Sequence, residues 1–196
     1  MLLYSLLFTD EELRFIIGAC AILLVLAILL SACVSLFCVA WWLNTRNVYK
    51  HLNRRVETGW ASLEEHLIKR YAALPELLET VAQVKELKEC NDLREKLDTA
   101  QKVHTVEEKI IANKALTLAL RALLEKVGED TELQSHTLVT DAVAQIKALE
   151  NEMNVSRQYY NGVVKTYNNK LTAFPARIVG GTMGDGFEKK PFFKFH

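Results

Sequence analysis

The chain has 196 residues, and its 24 lysines and arginines balance its 24 aspartates and glutamates. A net charge of zero gives no electrostatic reason to expect nucleic acid or an acidic ligand as a partner. The chain contains only eight glycines and three prolines, and no stretch alternates apolar and polar residues as a half-buried strand does. The composition therefore predicts an all-α protein and argues against nucleic-acid binding.

The first predicted element is a transmembrane helix at residues 15–43, preceded by a short interfacial segment at residues 1–14. Residues 15–43 carry no charge, and as a helix they would extend about 43 Å, against a hydrocarbon core of about 30 Å. Thr9 with Glu12 three residues later is typical of a capping box at the start of a helix. Acidic residues precede the span and basic residues follow it, which predicts an outside N-terminus and a cytoplasmic C-terminal part.

Residues 30–33 allow a second interpretation of this region. Their sequence, Leu-Ser-Ala-Cys, resembles the lipobox of bacterial lipoproteins, in which Cys33 would be acylated after cleavage of the leader. The leader is acidic, however, and uncharged residues continue to Leu43. The sequence favours an intact span, and lipidation of Cys33 stays an alternative.

Residues 44–175 are predicted to form a helical bundle domain. Apolar residues recur at intervals of three and four from Val48 to Val81, so the membrane helix should continue as one amphipathic helix with a local kink at Pro75. A second helical region covers Asn91 to Val127, as one helix or as two nearly collinear ones, because Thr105 could cap a fresh start. Its end is predicted at Gly128.

A last long helix is predicted from Thr131 to Phe174, stopping before Pro175. The similar lengths of these helices predict an elongated antiparallel bundle of three to four long helices in the cytoplasm. Residues 176–196 are predicted to form a Gly-rich linker followed by an aromatic and basic tail, FEKKPFFKFH. Such a tail can dock on its own bundle or enter a membrane interface, and docking is favoured.

Two Tyr-Asn pairs, Tyr160-Asn161 and Tyr167-Asn168, lie seven residues apart on the last helix. The tyrosines fall on its apolar stripe, so their hydroxyls need partners on a neighbouring helix. The asparagines flank the stripe, where their amides can bond across helices. The predicted seam comprises these four residues together with Glu57, Trp60, Arg70, Tyr71 and Pro75 of the first helix, and Glu64 lies beside it.

Three long stretches carry a resemblance to a known family. They are VYKHLNRRVETGWASLEEHLIKRYAALPELLETV after the span, ENEMNVSRQYYNGVVKTYNNKLTAFP on the last helix, and KKPFF in the tail. The chain resembles the LemA family of bacterial membrane proteins. The resemblance implies an N-terminal helix in the bacterial cytoplasmic membrane and an elongated cytoplasmic helical bundle, and the family has no assigned enzymatic activity to carry over.

Motifs of catalysis or metal binding are missing from the sequence. It contains no HExxH, no GxxxxGK[ST] and no Glu-x-x-His pair, and the Gly-rich stretch at residues 180–186 lacks the flanking strand of a phosphate loop. We therefore predict no catalytic residue, no cofactor and no metal site. The alternative is a ligand-responsive or catalytic bundle with a site along the seam of Tyr160, Tyr167 and Arg70.

Two features predict a homo-oligomer. Ala27, Ser31 and Ser35 recur every four residues in the span and form a small-residue groove suited to close helix contact. Ile111 and Leu118 lie off the apolar stripe of their helix, on a side that is ordinarily polar. The tail could instead cover that second side. The predicted partners are membrane lipid, further copies of the chain and other membrane proteins, without nucleic acid.

Overall fold

The computed structural model describes residues 10–184 and 187–194, without the side chains of Asp10, Glu12 and Leu13. The predicted cap residue Thr9, the rest of residues 1–9, and residues 185, 186, 195 and 196 of the predicted linker and tail lie outside this part. The described residues form six helices and no strand, which confirms the all-α class. The helices are α1 (Asp10–Val84), α2 (Lys88–Lys102), α3 (Val106–Glu129), α4 (Thr131–Ser135), α5 (Thr137–Thr172) and α6 (Ala176–Gly181).

The first compact unit covers residues 1–48 and contains the apolar part of α1. Every side chain from Arg14 to Ala40 is exposed. In length and composition this part of α1 suffices to cross a membrane, and none of its most apolar stretch is buried, which is compatible with a membrane anchor. The hydroxyls of Ser31 and Ser35 donate to the carbonyls of Ile28 and Ala32, each at 2.8 Å, so both are satisfied within the helix.

The second unit covers residues 49–196 and has one hydrophobic core. The apolar residues that α1 repeats at intervals of three and four are buried there, for example Leu63, Leu67 and Leu74. The helix continues through Pro75, which is exposed. The C-terminal part of α1 thus supplies one wall of the core.

The middle region is two helices, which settles the alternative left open by the sequence. At Thr105 the predicted capping box is present: the Glu108 amide donates to the Thr105 hydroxyl, and the Thr105 amide donates to the Glu108 carboxylate, each at 3.3 Å. Buried leucines of α2, such as Leu93 and Leu97, share the core with Leu116 and others of α3. The two helices therefore pack together instead of running collinearly.

The predicted last helix begins at Thr131 as expected, but it is interrupted at His136 and ends before Phe174. Helix α3 continues past Gly128 to Glu129, and Asp130 caps the short α4 by accepting from the amides of Glu132 at 3.0 Å and Leu133 at 3.4 Å. The chain breaks again at His136, so α5 begins only at Thr137. The side-chain cap at Asp130 fixes the start of α4. The break at His136, before α5, has no side-chain cap.

At its other end, α5 stops at Thr172, and Phe174 is 84 % exposed instead of lying on the apolar stripe. The buried hydroxyl of Tyr49 lies 2.9 Å from the Lys170 carbonyl oxygen and 2.8 Å from the Ala176 carbonyl oxygen. Its single proton is shared between the two carbonyls. This tyrosine of α1 therefore holds the end of α5 and the start of α6 together.

Candidate functional site

Six of the nine predicted seam residues belong to two separate clusters, and Glu57, Pro75 and Tyr167 lie outside both. The Arg70 cluster consists of Arg70, Tyr71, Asn113, Thr117 and Glu150. The tail clamp consists of Trp60, Tyr160, Asn161 and Asn168 together with residues 190–193 of the tail. Arg70 and Tyr71 were expected to pair with the Tyr-Asn residues, but their partners lie on α3 and further back on α5.

The Arg70 cluster joins α1, α3 and α5 around a buried charge. The Arg70 side chain is fully buried, and its Nε lies 2.6 Å from Glu150 Oε1 while its Nη2 donates to Thr117 Oγ1 at 3.0 Å. Thr117 in turn donates to the backbone carbonyl of Asn113 at 2.8 Å, and the side-chain amide of Asn113 donates to the Tyr71 hydroxyl at 2.5 Å. One arginine on α1 is thus tied to both neighbouring helices.

Burial and charge oppose each other at the Arg70–Glu150 pair. Burial raises the pKa of the Glu150 carboxyl, and the Arg70 guanidinium counteracts that rise. A guanidinium does not lose its proton in a protein, so Arg70 stays charged, with its Nε 2.6 Å from the Glu150 carboxyl group. Arg70 Nη1 and Asn113 Oδ1 have no hydrogen-bond partner among the described residues, so the cluster is closely packed but not completely satisfied.

The tail clamp is built from the two asparagines of the Tyr-Asn repeat. Asn161 donates its amide N–H to the Phe193 carbonyl and accepts the Phe193 backbone N–H, both at 2.8 Å. Asn168 makes the same pair of bonds with Lys190, both at 2.9 Å. Each asparagine therefore binds the main chain of one tail residue as a neighbouring strand would.

The spacing of the repeat matches the spacing of the bound residues. Seven residues of α5 rise about 10.5 Å along the helix axis, and the three residue-to-residue steps from Lys190 to Phe193 span about 10 Å when extended. Two asparagines seven residues apart can thus bind both ends of a four-residue extended segment. This is the physical reason for a heptad repeat of a residue that is a poor helix former.

Aromatic packing adds a side-chain contact to these main-chain bonds. Phe193 is fully buried, with its ring centroid 6.1 Å from that of Trp60. Trp60 also meets Tyr160 edge to face, with centroids 5.5 Å apart, and the Tyr160 hydroxyl donates to the Pro191 carbonyl at 2.9 Å. The clamp thus recognises one aromatic side chain and three carbonyls of the tail.

The two tyrosines of the repeat differ in their partners. Both are buried, and burial raises the pKa of Tyr160 and of Tyr167 to about 12. The Tyr160 hydroxyl binds the tail, not a neighbouring helix as expected, whereas the Tyr167 hydroxyl has no hydrogen-bond partner among the described residues. The repeat is regular in sequence but not in hydrogen bonding.

The remaining candidate residues lie outside both clusters. The Glu57 carboxylate accepts from Asn53 one turn earlier, and Glu64 forms an ion pair with Lys109 of α3. Ile111 and Leu118 are 70 % and 53 % exposed, so the described part of the tail does not cover that face of α3. Pro75, Ala27, Ser31 and Ser35 are exposed as well.

Sequence reasoning missed Glu150, Asn113 and Thr117. The last two lie on α3 among apolar residues at buried positions, and polar residues at such positions indicate a buried hydrogen-bond network. Glu150 had no comparable signal, because acidic residues are common along these helices.

Two cavities among the described residues lie outside the tail clamp. One of about 380 Å³ is lined by residues of α3, α4 and α5, including Leu124, Gln134 and Lys147. Another, of about 200 Å³, borders the Arg70 cluster at Tyr71, with Glu64 and Lys109 in its wall. No group of three or more histidine, cysteine, aspartate or glutamate side chains in the described part is arranged to hold a metal ion.

The fold and clusters define an all-helical protein with one long apolar N-terminal helix and a C-terminal tail bound to its last long helix. The family model of the LemA family matches residues 59–196, and the chain belongs to this family. The match includes both clusters and the tail. No curated protein matches the sequence significantly.

Proposed function

We propose that this protein is a membrane-anchored scaffold that presents an antiparallel helical bundle in the cytoplasm and has no catalytic activity. The apolar part of α1 anchors it in the bacterial cytoplasmic membrane, with the N-terminus outside. The observation that carries the proposal is that Arg70, Tyr71, Tyr160, Asn161 and Asn168 all bind other parts of the same chain.

A catalytic site requires polar groups that converge on an accessible cavity and are free to meet a substrate. Here the Arg70 guanidinium is fully buried and paired with Glu150, and the two asparagines of the repeat are occupied by the tail. Tyr160, Tyr167 and Arg70 line neither of the two cavities described above. Internal use of these groups supports a structural role over the ligand-responsive or catalytic alternative.

Self-assembly is the second part of the proposal. Ile111 and Leu118 expose apolar side chains on one face of α3, and the small residues Ala27, Ser31 and Ser35 leave one face of the apolar helix open to close contact. We propose that copies join through the span and through this face of α3. Membrane lipid, further copies and other membrane proteins are the proposed partners, and nucleic acid is not.

Mass measurement of the detergent-solubilised protein tests self-assembly. We expect a mass several times 22.3 kDa after correction for the micelle. Leucine at Ala27, Ser31 and Ser35 together should lower the mass by filling the groove. The matched control is Ala40→Leu, because position 40 lies about 180° around the helix from Ser31. A monomer in both mild detergent and nanodiscs would refute self-assembly.

Membrane topology needs a separate test. Cys90 is a poor probe because its thiol is buried and burial raises its pKa. A cysteine at the exposed position Lys114 should instead react with a membrane-impermeant thiol reagent only after the cells are opened. Labelling of Lys114→Cys in intact cells would place the bundle outside and overturn the proposed orientation.

A further inference from the structure

The contacts that hold the tail do not depend on the tail belonging to the same chain. Four of the five hydrogen bonds of the tail clamp join an asparagine side chain to the main chain of Lys190 or Phe193, and the fifth joins Tyr160 to the Pro191 carbonyl. The fully buried Phe193 supplies the side-chain anchor. Any extended segment with this sequence can make the same contacts.

The chain that leads to the clamp offers a route for exchange. Helix α6 ends at Gly181, and eight residues separate it from Lys190; fully extended, they span about 26–29 Å. Of these, Thr182, Gly184, Glu188 and Lys189 are exposed, and Gly184 has a φ of 75°. A tail on such a connection can leave the clamp while α5 and α6 stay in place.

We propose that the tail clamp is a binding site for an extended Lys-Pro-Phe-Phe segment, and that it accepts the tail of a second copy in exchange for its own. A second copy carries the same segment by definition, and exchange of identical elements is a common route to assembly. The exchange rests on the proposed self-assembly, because two chains must come within reach of one connecting segment. The binding site itself does not.

A synthetic peptide tests the binding site in the full-length protein. Phe193→Ala removes the anchor of the resident tail but leaves the clamp intact. We expect this variant to bind a labelled FEKKPFFKFH peptide at least tenfold more tightly than the unaltered protein, whose own tail competes at an effective concentration on the order of 1 mM. Phe192→Ala is the matched control, because Phe192 is adjacent but exposed, and it should behave like the unaltered protein.

Loss of the clamp must abolish this binding. Adding Asn161→Ala and Asn168→Ala to the Phe193→Ala protein should weaken peptide binding at least tenfold, while Asn169→Ala, at an exposed neighbouring position, should not. Equal binding by the Phe193→Ala protein with and without the two asparagines would overturn the binding site. So would a peptide that fails to bind the Phe193→Ala protein at all.

A mixture of two variants tests the second copy as the occupant. One chain carries Phe193→Ala and has an intact clamp; the other carries Asn161→Ala and Asn168→Ala, with an intact tail and a photo-crosslinker at position 192. Reconstituted together in one membrane, they should yield a covalent heterodimer joined at α5. The product should disappear when both chains lack the asparagines.

The outcomes separate this proposal from self-assembly. A protein that forms oligomers but gives no crosslink overturns tail exchange and leaves self-assembly standing. A monomer that binds the peptide retains the binding site but overturns the second copy as its occupant.

Discussion

The Arg70 cluster and the tail clamp both place polar groups of α5 in buried surroundings, but they bind different kinds of partner. In the Arg70 cluster, a charged side chain of α1 meets side chains of α3 and α5. In the tail clamp, two neutral side chains of α5 meet the main chain of residues 190 and 193. Binding within the Arg70 cluster depends on the identity of each side chain. Binding in the tail clamp depends mostly on the extended conformation of the bound segment.

This difference determines what each cluster contributes. A buried ion pair is costly to disrupt on one side only, because the remaining charge stays without a partner. An amide that binds a peptide main chain can return to water when the segment leaves, since both sides are then solvated. The Arg70 cluster therefore suits a permanent connection between helices, and the tail clamp suits a reversible one.

The largest expected effect is that of removing the Arg70 charge. Arg70→Met leaves the Glu150 carboxylate without its partner, and we expect the free energy of unfolding to fall by about 3–5 kcal/mol. Combining it with Glu150→Met should recover most of this loss. Lys114→Met, at an exposed position of α3, is the control. Urea unfolding of the solubilised protein is measured for these three variants and for the unaltered protein. Equal losses of stability in Arg70→Met and in the double variant would contradict the ion pair.

The next largest effect concerns alkaline pH. The pKa values of Tyr160 and Tyr167 are raised to about 12 by burial, against about 10 for an unfolded tyrosine. The fold favours the neutral phenol, so the stability from each tyrosine is complete below pH 10 and is lost as the pH rises toward 12. Each adds a slope of up to about 1.4 kcal/mol per pH unit in that window.

The reference for this titration is the Tyr160→Phe, Tyr167→Phe double variant, which keeps every other titrating group. Urea unfolding between pH 9 and 11.5 should show a smaller loss of stability in the double variant than in the unaltered protein. Parallel pH profiles would contradict burial of the two phenols.

The helices and the tail clamp differ in how far the sequence predicts them. The buried face of α1 follows from apolar residues at intervals of three and four, and the start of α3 from the Thr105 capping box. The break at His136 was missed because it has no side-chain cap. The spacing of apolar residues indicates which face of a helix is buried. A helix break without a side-chain cap depends on the packing of the chain instead.

The partners of polar residues were harder to predict than their positions. The seven-residue spacing of Asn161 and Asn168 was visible, but an asparagine that binds main chain leaves no pattern in the segment it binds. Arg70 was recognised as a candidate, yet nothing in the sequence distinguished Glu150 from the other acidic residues near it. Only the packing of α1 against α5 selects one carboxylate for a buried guanidinium.

The smallest expected effect separates the two tyrosines that the repeat makes look equivalent. Tyr160→Phe leaves the Pro191 carbonyl without its donor, so we expect a loss of about 1 kcal/mol. Tyr167→Phe removes a buried hydroxyl that has no partner among the described residues, so stability should change by less than about 0.5 kcal/mol or rise slightly. Thermal melts compare them with Tyr159→Phe, a neighbouring tyrosine that is 47 % exposed.

Amide exchange in the tail then assigns the loss to its cause. The Phe193 amide donates to Asn161 beside the Tyr160 contact, so its exchange should be faster in Tyr160→Phe and unchanged in Tyr167→Phe. Equal losses of stability in the two variants, with equal exchange at Phe193, would mean that the two tyrosines serve the core alike. Tyr160 would then add nothing to the contacts that the asparagines and Phe193 make with the tail, and the clamp would be weaker than its contacts indicate.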